Sequence, residues 1–228
     1  MSITCIIPFF NERDRILKVL DAVIKIKDIG QIILVDDGSI DGTAEQIKQH
    51  YPKITILQNK KNLGKAEAIT TGLKHAKGEY IFLLDADLQG LKYQELEKGI
   101  NAMRKDTIIG MIIFKRIDPP FTVRMSRGAI LLSGQRIIKK EDLMHALSFY
   151  RPKGYEIEFA LNQYMMDKQK QVYWIPISAR NTRSTTKLGY SIGMQKILHM
   201  HIEILRYLGL PKTIKQFLFF CKTEYRIT

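Results

Sequence analysis

Y-I-F-L-L-D-A-D-L-Q, residues 80–89, runs from a continuous apolar stretch straight into two acids. Residues 80–85 are apolar on both faces of a two-residue repeat, so they read as a buried strand. Asp85 and Asp87 leave that strand one residue apart and can face a common ligand. Hard oxygen donors of this kind suit Mg²⁺ or Mn²⁺, ions that also bind substrate phosphates. The amide oxygen of Gln89 adds a neutral ligand. A bare D-x-D pattern also fits a capped turn.

Working outward, the same grammar repeats. ITCIIPF (3–9), QIILVDD (31–37), ITILQN (54–59) and TIIGMIIF (107–114) read as further strands. Between them lie helical spacings. Residues 13–27 carry Ile16, Leu17, Leu20, Val23 and Ile24 on one face. A helix starts at Ser39 or Asp41 and stops before Tyr51-Pro52. Two more cover 65–77 and 93–105. This alternation predicts an α/β fold with a mainly parallel central sheet flanked by helices.

In such sheets ligands bind beyond the carboxyl ends of the strands. Those ends carry Pro8 to Glu12, Asp36 and Asp37, Asn59 to Lys65, Asp85 to Gln89, and Lys115 with Arg116. In V-D-D-G-S (35–39), Asp37 can accept hydrogen bonds from a base or ribose, while Ser39 and Asp41 suit helix capping. In P-F-F-N-E (8–12), Phe9 or Phe10 offers a face for a base, and Glu12 a carboxylate. In N-L-G-K (62–65), Lys65 opens a helix, a place that favours anions. The spacing is not that of a Walker loop, and G-x-G-x-x-G is absent from the chain.

With 228 residues, 45% of them hydrophobic and 26% charged, the chain fits one globular domain with at most a small appendage. Cys5 and Cys221 form no disulfide or metal framework, which points to a reducing cytosol. No signal peptide and no membrane-spanning run are expected. The net charge of +13 is uneven: residues 1–100 hold 14 basic and 14 acidic side chains, and 101–228 hold 22 and 9. That basic half suits phosphate, nucleic acid or an anionic membrane surface, or serves only as a solvated face. A nucleic-acid module leaves the acidic strand ends unexplained, so none is expected as partner.

The second half is less regular. SGQRIIKKEDL (133–143) reads as a short strand running into a helix, 155–168 as a helix, and VYWIPI (172–177) as a strand. Residues 191–208 make an amphipathic helix through Ile197, Leu198, Ile202, Leu205 and Leu208. Gly209 and Pro211 break it, and 213–222 forms a last short helix. The expected division is a domain over 1–190, with halves 1–114 and 115–190, followed by amphipathic helices over 191–228.

In order, IIPFFNE, ILVDDGSIDGT and NLGKAEAITTGLKHAKGEYIFLLDADLQ resemble the family 2 glycosyltransferases of GT-A fold. DADLQ is most similar to the dolichyl-phosphate mannose synthase and polyprenyl-phosphate glycosyltransferase branch. The resemblance implies inverting transfer of a hexose from a GDP- or UDP-sugar to a polyprenyl or dolichyl phosphate, with Mg²⁺ or Mn²⁺. It places Pro8, Phe10, Glu12, Val35 and Asp37 at nucleotide positions. Asp85, Ala86 and Asp87 meet the diphosphate and sugar, and Asp87 with Gln89 and Asp85 hold the metal. Lys115-Arg116 falls where the branch has a donor-site arginine. S-G-Q-R (133–136) is similar to its S-G-x-R, and Arg124, Ser133 and Arg136 are expected to bind the acceptor. R-N-T-R-S-T-T-K-L-G (180–189) brings Arg180 and Lys187 to phosphates.

Three departures stand out. Gly90-Leu91 replaces the usual His-Pro, the stretch between Arg116 and Ser133 is short for the branch, and Ala160 stands where many relatives have a third helical acid. Lipid-acceptor binding is therefore the weakest implication. A hydroxyl acceptor, with Glu156 or Glu158 as base, and a nucleotide-sugar-binding protein without activity are the alternatives. Attachment to the cytoplasmic membrane surface is expected from the basic half and the helices at 191–208 and 213–222.

Overall fold

The computed structural model describes residues 1–116, 127–181 and 190–226. The first half runs β1 (Ile3–Phe9), α1 (Ile16–Val23), β2 (Ile29–Asp36), α2 (Thr43–His50), β3 (Thr55–Gln58) and α3 (Lys65–His75). Then come β4 (Tyr80–Leu83), β5 (Leu88–Gln89), α4 (Tyr93–Lys105) and β6 (Ile109–Arg116). The second half adds α5 (Gly128–Leu131), β7 (Arg136–Lys139), α6 (Lys140–Tyr150), α7 (Glu156–Asp167), β8 (Gln171–Ile177) and β9 (Arg180–Asn181). It ends with α8 (Tyr190–Leu208) and α9 (Leu210–Phe219).

Seven strands form one sheet in the order β3-β2-β1-β4-β7-β6-β8. Its pairs are parallel except at β7, which runs antiparallel between β4 and β6. A separate ladder joins β5 to β9, with Leu88 opposite Asn181 and Gln89 opposite Arg180. Alternation along each strand feeds two cores. Ile112 and Phe114 of β6 face one core with Leu20 of α1 and Leu96 of α4. Met111 and Ile113 face the other, with Ile69 of α3, Leu161 of α7, and Ile204 and Leu208 of α8. Burial on both faces is why these strands read as continuous apolar runs rather than as alternating ones.

Several boundaries differ from the sequence reading, the last helix among them, at Leu210–Phe219 rather than 213–222. The strand expected over 107–114 is β6 at Ile109–Arg116, so Lys115 and Arg116 belong to the sheet, opposite Pro176 and Ile177 of β8. Pairing with β8 extends the strand past its apolar run. Gly209, at φ 76°, ends α8, but Pro211 breaks no helix. It sits in the first turn of α9, where its missing N–H is no loss.

The C-terminal helices share the second core. The Tyr207 hydroxyl donates to the Tyr150 carbonyl at 2.8 Å. Gln216 Nε2 donates to the Phe159 carbonyl at 3.0 Å and to Gln163 Oε1 at 3.1 Å. Arg127 closes the end of α9 by donating to the carbonyls of Phe217, Phe220 and Cys221 at 2.7, 2.7 and 3.1 Å. A cation on the last carbonyls of a helix also complements its dipole. Among the described residues, no helix is long and apolar enough to cross a membrane.

Candidate active site

The ends of β1 and β2 are laced together. Pro8 stands opposite Val35 and Phe9 opposite Asp36 in the parallel register. Phe9 is 3% exposed and enters the core, whereas Phe10 is 42% exposed, so Phe10 supplies the open aromatic face. The Asn11 amide donates to Ser39 Oγ at 3.0 Å and the Glu12 amide to Thr43 Oγ1 at 3.1 Å. Asn11 Oδ1 accepts from the Ile40 amide at 3.0 Å. The Glu12 carboxylate pairs with Arg15. α2 opens from Gly42 with no side-chain cap; Asp41, one residue earlier, accepts the Thr43 amide at 3.0 Å, and Ser39 is taken up by Asn11.

Asp37 ties this pair of loops to the third. Its Oδ1 accepts from Asn59 Nδ2 at 2.8 Å and from the Leu63 amide at 3.0 Å, and its Oδ2 from the Gly64 amide at 2.7 Å. The residue is 4% exposed. Gly38 follows at φ 83°, and a Cβ there would lie 2.8 Å from the Lys61 carbonyl carbon. Only glycine allows both that dihedral and that approach. Asp37 thus holds N-L-G-K in place, and Oδ2 keeps the remaining acceptor capacity.

Beyond β4 the chain turns through Ala86 and Asp87 into β5. Ala86 is buried, Asp87 half-buried and Gln89 exposed. Lys65, first residue of α3, sets Nζ 2.5 Å from Asp85 Oδ1 and 2.7 Å from Glu158 Oε1 on α7. Asp85 Oδ2 accepts from Gln135 Nε2 at 2.5 Å and from Asn181 Nδ2 at 3.3 Å. Asn181 also donates to Asp87 Oδ1 at 2.8 Å and accepts from Arg116 Nη1 at 3.0 Å. One asparagine therefore links both acids to the arginine that ends β6. Gly134 leaves room for the ion pair: a Cβ there would lie 2.4 Å from both Asp85 Oδ1 and Lys65 Nζ.

Electrostatics follow the geometry. Burial alone would raise the Asp85 carboxyl pKa. The charge and hydrogen bond of Lys65, with Asn181 and Arg116, outweigh that and hold it below the ordinary carboxylate value. Burial works against the charged Lys65 ammonium, yet Asp85 and Glu158 raise it well above the usual lysine range. Burial lowers the Arg116 guanidinium, opposed by Asp85 and Asp87. Among the described residues, two buried polar atoms here have no hydrogen-bond partner: Arg116 Nε, a donor, and Glu158 Oε2, an acceptor. A buried orphan of either kind costs free energy, and a bound ligand can relieve it.

The acceptor expectation for Ser133 and Arg136 needs correction. Ser133 is 1% exposed and Arg136 0%. Ser133 Oγ lies 2.7 Å from the Phe114 carbonyl and 2.9 Å from Gln135 Oε1, so it orients Gln135 toward Asp85. Arg136 donates to the carbonyls of Ser133, Leu131 and Glu158 and to Asn162 Oδ1, at 2.6 to 3.2 Å. Burial lowers its guanidinium pKa to about 10, partly offset by Glu158. With no open surface, both residues are positioning groups behind Gln135 and Glu158. Glu156 is similarly committed, since its Oε2 accepts the Lys153 amide at 2.7 Å at the start of α7. Arg180 is exposed on β9, across from Gln89. Arg124 and Lys187 lie outside the described residues.

The sequence reading missed Gln135 and Asn181, although both sit inside motifs it singled out. It also missed that Glu158 and Gly134 frame Lys65. Their signal was position within S-G-Q-R, G-Y-E-I-E and R-N-T-R, with no spacing rule to say which member faces the site.

The donor set fits a divalent cation carried in with its phosphates. Mg²⁺ commonly takes one or two carboxylates and completes its shell with water and substrate oxygens. Asp87 and Gln89 would hold it, with Asp85, whose oxygens accept from Lys65, Gln135 and Asn181, beside them. Among the described residues, no three His, Cys, Asp or Glu side chains converge as an all-protein cage.

The architecture is the GT-A fold. Glucosyl-3-phosphoglycerate synthase from Mycobacterium tuberculosis, crystallised with phosphoglyceric acid, superposes with a TM-score of 0.71 at 18% identity, over 92% of this chain and 81% of that one. The same enzyme with Mn²⁺, UDP-glucose and phosphoglyceric acid gives 0.71 at 19% identity, over 92% and 80%. Residues 4–166 match glycosyl transferase family 2, and the chain belongs to that family.

Among curated relatives, a dolichyl-phosphate beta-glucosyltransferase of Trichomonas vaginalis is 34% identical over 44% of this chain and 34% of its own length. The dolichyl-phosphate beta-glucosyltransferase of Saccharomyces cerevisiae is 35% identical over 45% and 34%. The undecaprenyl-phosphate 4-deoxy-4-formamido-L-arabinose transferase of Edwardsiella ictaluri is 33% identical over 55% and 41%. The matched segments thus span well under half of each of these relatives.

Proposed function

We propose that the chain transfers a hexose, with inversion, from a GDP- or UDP-sugar to a polyprenyl or dolichyl phosphate. The observation that carries this reading is the Arg116–Asn181–Asp87 linkage beside the Lys65–Asp85–Glu158 pair, at the carboxyl ends of β4 and β6. The relatives named for dolichyl and undecaprenyl phosphate support the acceptor class.

In the proposed reaction an acceptor phosphate oxygen attacks the anomeric carbon. The bond to the diphosphate oxygen breaks, and its electron pair leaves with the nucleoside diphosphate. A bound divalent cation supplies charge stabilisation for that leaving group. Arg116, with its unpartnered Nε, offers a second positive group for it. Phe10 stacks on the base, and Pro8 and Glu12 line the nucleotide end, whereas the Val35 side chain is fully buried in the second core and offers only its backbone. Asp37 fixes the loop that presents Lys65, and its spare acceptor capacity faces the nucleoside. Arg180 and Lys187 approach the phosphates. An anionic acceptor needs positioning more than it needs a base.

A second reading takes a hydroxyl acceptor. The unpartnered Glu158 Oε2 is the observation in its favour, since such an acceptor requires a base. In the lipid-phosphate reading the chain works at an anionic membrane surface, whereas a hydroxyl acceptor needs no such surface. Release of nucleoside diphosphate from GDP- and UDP-sugars, with polyprenyl phosphate or a glycan, separates the two. Turnover only with the lipid phosphate, lost in excess chelator, is expected. Turnover with the glycan alone would overturn the lipid-phosphate reading.

A further inference from the structure

Successive strand residues point to opposite faces, so Lys115 leaves β6 on the face away from Arg116. It lies on the side of the C-terminal helices. There a shallow groove of about 440 Å³ is lined by Lys115, Arg127 and Lys222 around Trp174, Phe217 and Leu218. Lys115 Nζ sits 4.0 Å from the centre of the Trp174 ring, and Lys222 Nζ 5.2 Å from that of Phe219.

None of the three cations has a carboxylate partner among the described residues. Arg127 bonds only to carbonyls, and Lys115 rests on an aromatic face. Trp174 is tied to the C-terminal tail by backbone bonds, its amide donating to the Thr223 carbonyl at 3.2 Å and its carbonyl accepting from the Tyr225 amide at 2.9 Å. Both Lys115 and Arg127 act electrostatically on buried Cys221, partly offsetting its burial. Converging unneutralised charge is unfavourable and is relieved by an anion. The groove opens onto α9, whose Leu210, Ile214, Leu218 and Phe219 are 47–61% exposed.

We propose that this groove seats an anionic phospholipid, with its phosphodiester between Lys115, Lys222 and Arg127 and its acyl chain along Trp174, Phe217 and Leu218. The proposal rests on the membrane-surface part of the functional reading and names the surface responsible. The lipid is not the sugar acceptor. Trp174 lies on β8, three strands from β4 in the order β4-β7-β6-β8. At about 4.8 Å per strand that is roughly 14 Å from the strand carrying Asp85. Lys115, which holds the anion, leaves β6 on the face away from Arg116, and the exposed face of α9 lies against the bilayer.

Trp174 is the single tryptophan of the chain, so its emission reports on the groove alone. The full chain is titrated with dihexanoyl phosphatidylglycerol below its micelle concentration, and in parallel with dihexanoyl phosphatidylcholine and with inorganic phosphate. A saturable emission shift with phosphatidylglycerol is expected, at least tenfold weaker with phosphatidylcholine and absent with phosphate. Lys115→Gln combined with Lys222→Glu weakens phosphatidylglycerol binding at least tenfold, with far-ultraviolet circular dichroism and nucleotide affinity unchanged. Lys222→Gln alone, at an exposed position, gives a smaller loss in the same direction. No shift with phosphatidylglycerol, equal shifts with all three probes, or wild-type binding by the double variant would overturn the proposal. Sugar-nucleotide turnover is measured separately, so loss of the lipid effect with turnover intact refutes the groove and not the transferase reading.

Discussion

The loops beyond β1 and β2 are held by bonds among residues 9 to 64, mostly backbone amides reaching Ser39, Asp37 and Thr43. The loops beyond β4 and β6 are held by side chains from five distant segments, at residues 65, 116, 135, 158 and 181. The first region is a scaffold of loops with glycine where the chain crowds itself. The second is a set of charges that no single segment balances. In the second region, changing one partner exposes the others to a low-dielectric surrounding, so its variants carry the larger effects.

Lys65→Met tests that difference most severely. It leaves Glu158, whose side chain is 5% exposed, and Asp85 without their cation. Removing one partner of a buried pair costs on the order of 3–5 kcal/mol, read as a lower urea midpoint at unchanged slope. A midpoint equal to wild type would mean that solvent already screens the pair. Asp87→Ala comes next, on turnover rather than stability. Losing the carboxylate bonded to Asn181 and offered to the cation should lower kcat by roughly 10²–10³. Turnover at the wild-type rate would remove Asp87 from the proposed chemistry.

Asp37→Ala probes the scaffold side. It strands the Leu63 and Gly64 amides. The expected effect is about 1–3 kcal/mol in nucleotide affinity by calorimetry, through a loosened loop. Unchanged affinity would confine Asp37 to a role without bearing on the nucleotide. Phe10→Ala is smaller, about 0.5–1.5 kcal/mol, since an exposed ring contributes only its stacking face. An equal loss with Phe10→Leu would show contact area, not the ring, to be what matters.

The smallest effect is in pH. Asp85 is held below its ordinary value. Its stabilisation is therefore full above the unfolded carboxylate range, about 4, and is lost as pH falls through the lowered value. Lys65 is raised. Its stabilisation is full below the unfolded lysine value, about 10, and is lost as pH rises through the raised one. In Lys65→Met burial acts on Asp85 without its cation and raises the carboxyl, so the stability gap from wild type should narrow as pH falls from about 9 toward about 5. A gap that stays constant, or widens as pH falls, would contradict the assignment.

Period and punctuation determined much of this molecule without any tertiary information. The α/β alternation follows from apolar runs of strand length set between helical spacings. The strand-end rule then gathers Pro8–Glu12, Asp36–Asp37, Asn59–Lys65, Asp85–Gln89 and Arg116 at one edge, because a parallel sheet points its carboxyl ends the same way. What only the tertiary structure decided is which members of each motif face the ligand. Ser133 and Arg136 bond to their own neighbourhood, and the equally buried Gln135 turns its amide to Asp85, because β7 enters antiparallel between β4 and β6. Strand order leaves no trace in periodicity. Asn181 reached Asp85 and Asp87 through a two-residue ladder too short to have a period. The same register sent Arg116 to the acids and Lys115 to Trp174 on the opposite face, a division that one residue of strand alternation makes and that composition does not record.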